Sequence, residues 1–196
     1  MADLIVFDCD GVLVDSEILA CRIGAAELTR HGFPHRAAEV VERYCGVAES
    51  TMSEIVARDW GRPLPEDFWP GFRAHLEVAL RAELAPMAHA AEVIATLTPP
   101  ACVASSSRPE RIRLSLELTG LHDLLAPHLF SATMVANGKP APDLFLLAAA
   151  RMGVDPADCL VIEDSVAGIR AAVAAAMRPI GFVGGGHATP ALAERL

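Results

Sequence analysis

The sequence is poor in lysine and carries no strong positive charge. Lys139 is the only lysine among 16 basic residues, and the formal net charge of the 196-residue chain is −9. Nucleic acids are bound mainly through clustered lysine and arginine side chains, so this charge balance argues against a nucleic-acid partner. A small anionic substrate is compatible with it, because a metal ion and a few cations can reverse the field inside one pocket.

Long apolar runs are also missing. The longest runs are much shorter than the roughly 20 residues that a membrane-spanning helix needs. The first three residues lack the basic start of a secretory signal, and the apolar run that follows meets acidic residues at once. Five cysteines are scattered without a C-x-x-C pair, which favours reduced structural thiols. We therefore expect a cytoplasmic protein that does not bind a membrane.

Short apolar runs outside residues 16–85 indicate a buried parallel sheet. They occur at residues 4–7, 101–104, 128–131, 159–162 and 179–183. Helical patterns of about 10–15 residues separate the later runs, as in βαβ units, and continuously apolar strands are expected when helices cover both faces of a sheet. Residues 16–85 carry only helical patterns, separated by turns. We predict an α/β domain with a doubly wound parallel sheet and an inserted α-helical domain.

Acidic and hydroxyl residues stand at the carboxyl ends of the predicted strands. Asp8 and Asp10 follow the first run, and Ser105 follows the second. Glu163 and Asp164 follow a later run. The carboxyl ends of parallel strands meet at one sheet edge, which is where open α/β sheets place their binding sites. The spacing therefore predicts that these side chains face one crevice.

Four carboxylates in one crevice need positive charge. At an effective dielectric near 20, a like-charged pair about 4 Å apart costs roughly 4 kcal/mol, and Lys139 supplies only one nearby cation. Such a cluster takes up protons or holds a divalent cation, and oxygen ligands suit Mg²⁺ better than zinc. A compact ammonium group also suits a phosphoryl oxygen. These residues favour a Mg²⁺-dependent site for a phosphorylated substrate.

Four stretches resemble the motifs of the haloacid dehalogenase superfamily, in its β-phosphoglucomutase-like branch with an α-helical cap. They are residues 7–17, 103–107, 138–143 and 162–168, in that order along the chain. The resemblance extends over nearly the whole sequence. It implies a Rossmann-like α/β core formed by residues 1–15 and 86–196, and an α-helical cap domain formed by residues 16–85.

The resemblance also implies a role for each motif residue. Asp8 corresponds to the nucleophile that forms a transient aspartyl-phosphate, and Asp10 corresponds to the general acid/base, whose backbone carbonyl also binds Mg²⁺. The implied metal ligands are Asp8, Asp10, Asp164 and Glu163, the last acting directly or through water. The implied phosphate-binding residues are Ser105, Ser106 and Lys139.

Residue identities outside the motifs separate the members of this superfamily. Residues 16–85 contain no lysine, which argues against a hydrolase that forms a Schiff base in its cap. A mutase of the β-phosphoglucomutase type uses a cap arginine where this chain has Glu49, and a carboxylate there would repel a second phosphate. We therefore expect a monomeric phosphatase for a small sugar or sugar-acid phosphate. A phosphosugar mutase and a catalytically idle binding module are the alternatives.

Overall fold

The computed structural model describes residues 2–47 and 49–196, so Met1 and Ala48 lie outside the described residues. The chain divides into two compact units. The smaller unit is the continuous segment Ser16–Leu84. The larger unit is formed by Met1–Asp15 together with Ala85–Leu196, so the smaller unit is inserted into it in sequence.

The larger unit contains a five-stranded parallel sheet. Its strands are β1 (Leu4–Phe7), β2 (Ala101–Ser105), β3 (Leu129–Ser131), β4 (Cys159–Glu163) and β5 (Arg178–Gly181). Their order across the sheet is β3-β2-β1-β4-β5, and every pairing is parallel. Strands β2 and β3 are added on one side of β1, and the chain then crosses to the other side of β1 to form β4 and β5. This change of direction creates a topological switch point beside β1. The predicted doubly wound parallel α/β sheet is confirmed.

The regular secondary structure described in the smaller unit is entirely helical. Its helices are α1 (Glu17–Arg30), α2 (Ala37–Tyr44), α3 (Glu49–Trp60) and α4 (Phe68–Glu83). Its core includes the fully buried side chains of Leu28, Phe33 and Phe68. Phe68 also makes an edge-to-face contact with Trp69, with ring centroids 5.0 Å apart. Both tryptophans of the chain, Trp60 and Trp69, belong to this unit.

The remaining helices belong to the larger unit. They are α5 (Ala90–Thr96), α6 (Pro109–Leu118), α7 (His122–Leu125), α8 (Asp143–Met152), α9 (Val166–Ala174) and α10 (Pro190–Ala193). Of these, α8 and α9 pack directly on the sheet. Alternate strand residues such as Leu4 and Val6 pack with Phe145 of α8 and Ala171 of α9 in one fully buried cluster. Because side chains alternate along a strand, this packing fixes which residues face the helices. It also fixes the register that brings the ends of β1 and β4 side by side.

Two predicted element boundaries near the end of the larger unit are wrong. The helix predicted over residues 166–177 ends at Ala174, because Ala176 takes a left-handed conformation with φ 58° and the chain turns into β5. The strand predicted over residues 179–183 runs from Arg178 to Gly181 and ends where its partner β4 ends. No helix in the described part of the chain combines the length and apolar character that crossing a membrane would require.

Candidate active site

Asp8 lies at the carboxyl end of the central strand. Its backbone N–H donates to the carbonyl of Ile162, 2.9 Å away, which continues the pairing of β1 with β4. The Nζ atom of Lys139 donates to Asp8 Oδ1 and to the carbonyl of Ala104 on β2, both at 2.9 Å. Lys139 thus ties together the ends of two neighbouring strands, and its side chain is only 4% exposed.

Glu163 orients Lys139. Lys139 Nζ donates to Glu163 Oε1 at 2.6 Å, and Glu163 Oε2 accepts from the backbone N–H and the hydroxyl of Ser165 at 2.8 and 2.9 Å. The carboxylate also packs against Gly168 of α9, where a Cβ atom would lie 1.8 Å from Oε1. Any larger residue at this position would displace Glu163, so the glycine is required by space.

Asp164 completes a cluster of three buried acids. Carboxylate oxygens of Asp8, Glu163 and Asp164 all lie within 4.8 Å of one another. The cluster offers oxygen atoms only, and the ammonium group of Lys139 bridges two of its members. Magnesium prefers oxygen ligands and is usually held by one or two carboxylates, so these residues fit that ion by the chemistry of their donors.

The surroundings of Asp8 favour its neutral form in the absence of a metal. Burial raises the pKa of the Asp8 carboxyl well above its usual value, and the nearby carboxylates, chiefly Glu163, raise it further, while Lys139 opposes the shift. Burial lowers the pKa of Lys139, but its ion pairs with Asp8 and Glu163 outweigh that effect and raise the pKa above its ordinary value. The lysine is therefore charged, and the cluster as a whole is short of positive charge.

Asp10 lies in a different environment. Its Oδ2 atom accepts a 2.6 Å hydrogen bond from the hydroxyl of Ser107, and its Oδ1 atom is 2.8 Å from Nη2 of Arg111. Among the described residues, the acids whose carboxylate oxygens lie within 4.8 Å of one another are Asp8, Glu163 and Asp164, and Asp10 does not belong to this cluster. The two carboxylates of the D-x-D pair thus have different partners, since Asp8 pairs with Lys139 and Asp10 pairs with Arg111.

The serines after β2 also differ from one another. Ser105 is buried, and its hydroxyl oxygen accepts from the backbone N–H of Ser107 at 3.1 Å. Ser106 is exposed. Ser107 connects this loop to the acids through Asp10, and its carbonyl accepts from the hydroxyl of Ser131 at the end of β3. The structure therefore puts Ser107 in contact with a predicted site residue, whereas Ser106 projects toward solvent.

Sequence reasoning did not select Ser107, Arg111 or His187. Ser107 and Arg111 could have been found from their position, because they flank the start of α6 directly after a strand end that was already a candidate. His187 gave no such signal. Its Nε2 atom lies 2.9 Å from Asp164 Oδ2, and it follows three glycines in the loop after β5.

Comparisons with known proteins agree with this architecture. The model of the haloacid dehalogenase-like hydrolase family matches residues 2–176. The chain is 29% identical to the 6-phosphogluconate phosphatase of Escherichia coli K12 over 189 residues, which cover 96% of this chain and 86% of that protein.

Solved structures give the same result. A haloacid dehalogenase-like protein of unknown function from Agrobacterium tumefaciens C58 superposes with a TM-score of 0.90 at 38% identity, covering 100% of this chain and 89% of that one. A haloacid dehalogenase family hydrolase from Deinococcus radiodurans R1 was solved with bound phosphate and sodium. It superposes with a TM-score of 0.79 at 30% identity, covering 99% of this chain and 88% of that one. The resemblance found in the four motifs is confirmed, and the chain belongs to the haloacid dehalogenase-like hydrolase family.

Proposed function

We propose that this hydrolase is a Mg²⁺-dependent phosphatase that cleaves a small phosphorylated metabolite through an aspartyl-phosphate on Asp8. The observation that carries the proposal is the buried cluster of Asp8, Glu163 and Asp164, two of which, Asp8 and Glu163, pair with the ammonium group of Lys139. The related phosphatase from Escherichia coli and the phosphate bound in the Deinococcus radiodurans structure support the same class of substrate.

The metal would be held by Asp8, Asp164 and the backbone carbonyl of Asp10. When bound, Mg²⁺ would neutralise the charge that otherwise repels a phosphate from the carboxylates. Glu163 would contribute mainly through Lys139, because its two oxygens already accept hydrogen bonds from Lys139 and Ser165. In this assignment Glu163 acts on the metal site only indirectly.

The reaction would proceed in two displacements on phosphorus. A carboxylate oxygen of Asp8 forms a bond to phosphorus, and the bond between phosphorus and the ester oxygen breaks. In the first displacement a protonated Asp10 gives its proton to the departing oxygen. In the second, a water oxygen bonds to phosphorus, the bond between phosphorus and Asp8 breaks, and Asp10 accepts a proton from the water. Inorganic phosphate is released, and both aspartates return to their starting states.

The remaining site residues would bind the transferring group. Lys139 and the hydroxyl of Ser105 would stabilise charge on the phosphoryl oxygens, and fixed donors of this kind lower the barrier because they need no reorganisation during the reaction. Ser107 and Arg111 hold the Asp10 carboxyl group at 2.6 and 2.8 Å. A phosphate-binding role for the exposed Ser106 stays a prediction.

A sugar or sugar-acid phosphate is the proposed substrate, and hydrolysis is favoured over mutase action. Glu49 is expected to repel the second phosphate that a mutase needs. In the smaller unit Glu49 Oε2 is paired with Arg73 Nη1 at 2.9 Å, so its charge is largely offset. A mutase therefore has to be tested directly.

The cytoplasmic location and the monomeric state also stay predictions.

A phosphate-release assay on the full chain tests the proposal. We expect release from 6-phosphogluconate or a hexose phosphate with Mg²⁺ and none after chelation with EDTA. Asp8→Asn should lower kcat by at least about 10³-fold, since it removes the nucleophile. Asp3→Asn is the matched control, because Asp3 is exposed, and it should leave kcat unchanged.

Three results would contradict the proposal. Substantial activity in Asp8→Asn would remove the nucleophile assignment. Interconversion of sugar phosphates that depends on a bisphosphate and gives no free phosphate would identify a mutase. Failure to release phosphate from any compound at any metal concentration or pH would favour a binding module.

A further inference from the structure

We propose that His187 is a positioning residue that holds Asp164 in the orientation required for metal binding. The inference rests on the proposed function, and it adds a residue that lies outside all four sequence motifs. His187 Nε2 lies 2.9 Å from Asp164 Oδ2, and the residues are only 3% and 5% exposed, respectively. A contact between two polar groups this well buried is shielded from competition by water.

The loop that carries His187 is attached to the end of the central strand. The backbone N–H of Gly186 donates to Asp15 Oδ1 at 2.9 Å, and Asp15 belongs to the segment that continues from β1. The backbone N–H of Ala188 donates to the carbonyl of Gly185 at 2.9 Å and closes a turn around the histidine. These two hydrogen bonds restrict the backbone on both sides of His187.

Two glycines provide the space for the imidazole ring. A Cβ atom on Gly185 would lie 2.7 Å from both Cε1 and Nδ1 of His187. A Cβ atom on Gly11 would lie 1.8 Å from Asp164 Oδ2 and 2.9 Å from His187 Cε1. Gly11 also has φ +78°, a conformation that favours glycine. The imidazole ring therefore packs against the backbone of Gly185 and Gly11, and the Asp164 carboxylate packs against the backbone of Gly11.

The chemistry of the contact explains why a histidine serves here. An N–H at Nε2 donates a hydrogen bond to one carboxylate oxygen of Asp164 and leaves the other oxygen available to a cation. A carboxylate oxygen of Asp164 lies within 4.8 Å of oxygens of Asp8 and Glu163, so the orientation that His187 gives to Asp164 bears on the same acidic cluster. Groups that hold a metal ligand in this way typically contribute 10- to 100-fold in metal affinity or activity.

Direct metal binding without substrate is the first readout. Free Mn²⁺, which also prefers oxygen ligands, can be measured by electron paramagnetic resonance during titration of the metal-free protein. We expect His187→Ala to weaken Mn²⁺ binding by about 10-fold or more. His187→Gln should recover most of the affinity, because its amide N–H can reach the position of Nε2. His89→Ala, which removes an exposed histidine of the same unit, should bind as the wild type does.

Mg²⁺-dependent phosphate release is the second readout. In His187→Ala the Mg²⁺ concentration for half-maximal activity should rise about 10-fold, while kcat at saturating Mg²⁺ should recover to within a few-fold of the wild type. A residue with a merely structural role would lower stability without moving the metal dependence selectively. Thermal unfolding of each variant in EDTA separates the two effects.

Asp164→Asn distinguishes failure of this inference from failure of the proposed function. If Asp164→Asn loses Mn²⁺ binding while His187→Ala retains wild-type affinity, the role of His187 is wrong and the metal site stands. If His187→Gln binds Mn²⁺ as poorly as His187→Ala, the positioning role is likewise wrong. If Asp164→Asn binds Mn²⁺ as the wild type does, the proposed metal site itself is contradicted.

Discussion

Two buried carboxylates, one in each unit of the molecule, have opposite surroundings. In the smaller unit Glu27 is 4% exposed, and its two oxygens lie 2.7 Å from Arg30 Nη2 and His75 Nδ1. Burial raises the pKa of Glu27, but the hydrogen bonds from Arg30 and His75 outweigh it, so the pKa lies below its usual value. In the larger unit burial dominates, and the pKa of Asp8 lies well above its usual value.

The difference shows what separates a structural carboxylate from a candidate catalytic one. Both groups are removed from water, so burial alone does not distinguish them. Glu27 accepts hydrogen bonds from two basic side chains, whereas Asp8 shares Lys139 with Glu163 and lies beside Asp164. A buried site with excess negative charge is destabilising unless it takes up protons or a cation, and that requirement is what a metal-dependent enzyme exploits.

Removal of the shared cation should have the largest effect. In Lys139→Met the buried carboxylates of Asp8 and Glu163 lose their bridging ammonium, and breaking a buried ion pair from one side typically costs about 3–5 kcal/mol. We expect a loss of this size in the free energy of unfolding of the metal-free protein, together with loss of phosphatase activity. Urea unfolding at pH 7 in EDTA, followed by circular dichroism, measures it.

Arg113→Met is the control for Lys139→Met. Arg113 forms an exposed ion pair with Glu117 on α6, and exposed pairs contribute little because water screens them. The urea midpoint of this control should stay at the wild-type value. Equal stability of Lys139→Met and the control would show that the acidic cluster is not short of positive charge.

Replacement of the structural carboxylate should have a smaller effect and spare activity. We expect Glu27→Gln to lower stability by about 1–2 kcal/mol, because charge-assisted hydrogen bonds are lost but Arg30 and His75 are partly hydrated. Tryptophan fluorescence reports this change, since both tryptophans lie in the same unit as Glu27. The activity of the folded variant should remain at the wild-type level.

The pH dependence of Glu27→Gln has a defined sign. The folded pKa of Glu27 is lowered, so its stabilising contribution is present above the unfolded pKa and is lost as pH falls toward the folded pKa. The stability difference between wild type and Glu27→Gln should therefore be largest near neutral pH and shrink in acid. A difference that is constant or grows in acid would contradict the assigned ion pairs. Glu77→Gln, in an exposed pair with Arg81, is the control.

The sheet and its acidic edge could be predicted because the relevant signals are local. Strand β1 and strand β4 are short apolar runs followed at once by carboxylates, and parallel strands bring such ends together. The end of α9 could not be predicted in this way. Residues 171–176 contain only alanine and valine, with no glycine or proline to mark the left-handed turn at Ala176.

Contacts between distant residues account for what the sequence did not reveal. A glutamate on an amphipathic helix is normally exposed, and the burial of Glu27 depends on His75, 48 positions away. His187 approaches Asp164 only because the loop after β5 folds back over Gly11. The exposure of Ser106 and the contact of Ser107 with Asp10 likewise follow from the direction of the loop after β2, which motif spacing does not specify.

The stabilisation of the folded protein by Mg²⁺ tests the contrast between the two carboxylate sites most directly. At a concentration about ten times Kd, a ligand that binds only the folded state adds roughly 1.4 kcal/mol. For a chain of this size that corresponds to a rise in Tm of about 3–6 °C relative to EDTA. We predict this rise for the wild type and for Glu27→Gln, and its loss in Asp164→Asn. An equal rise in Asp164→Asn, or no rise in the wild type at any Mg²⁺ concentration, would contradict the proposed metal site at Asp8 and Asp164.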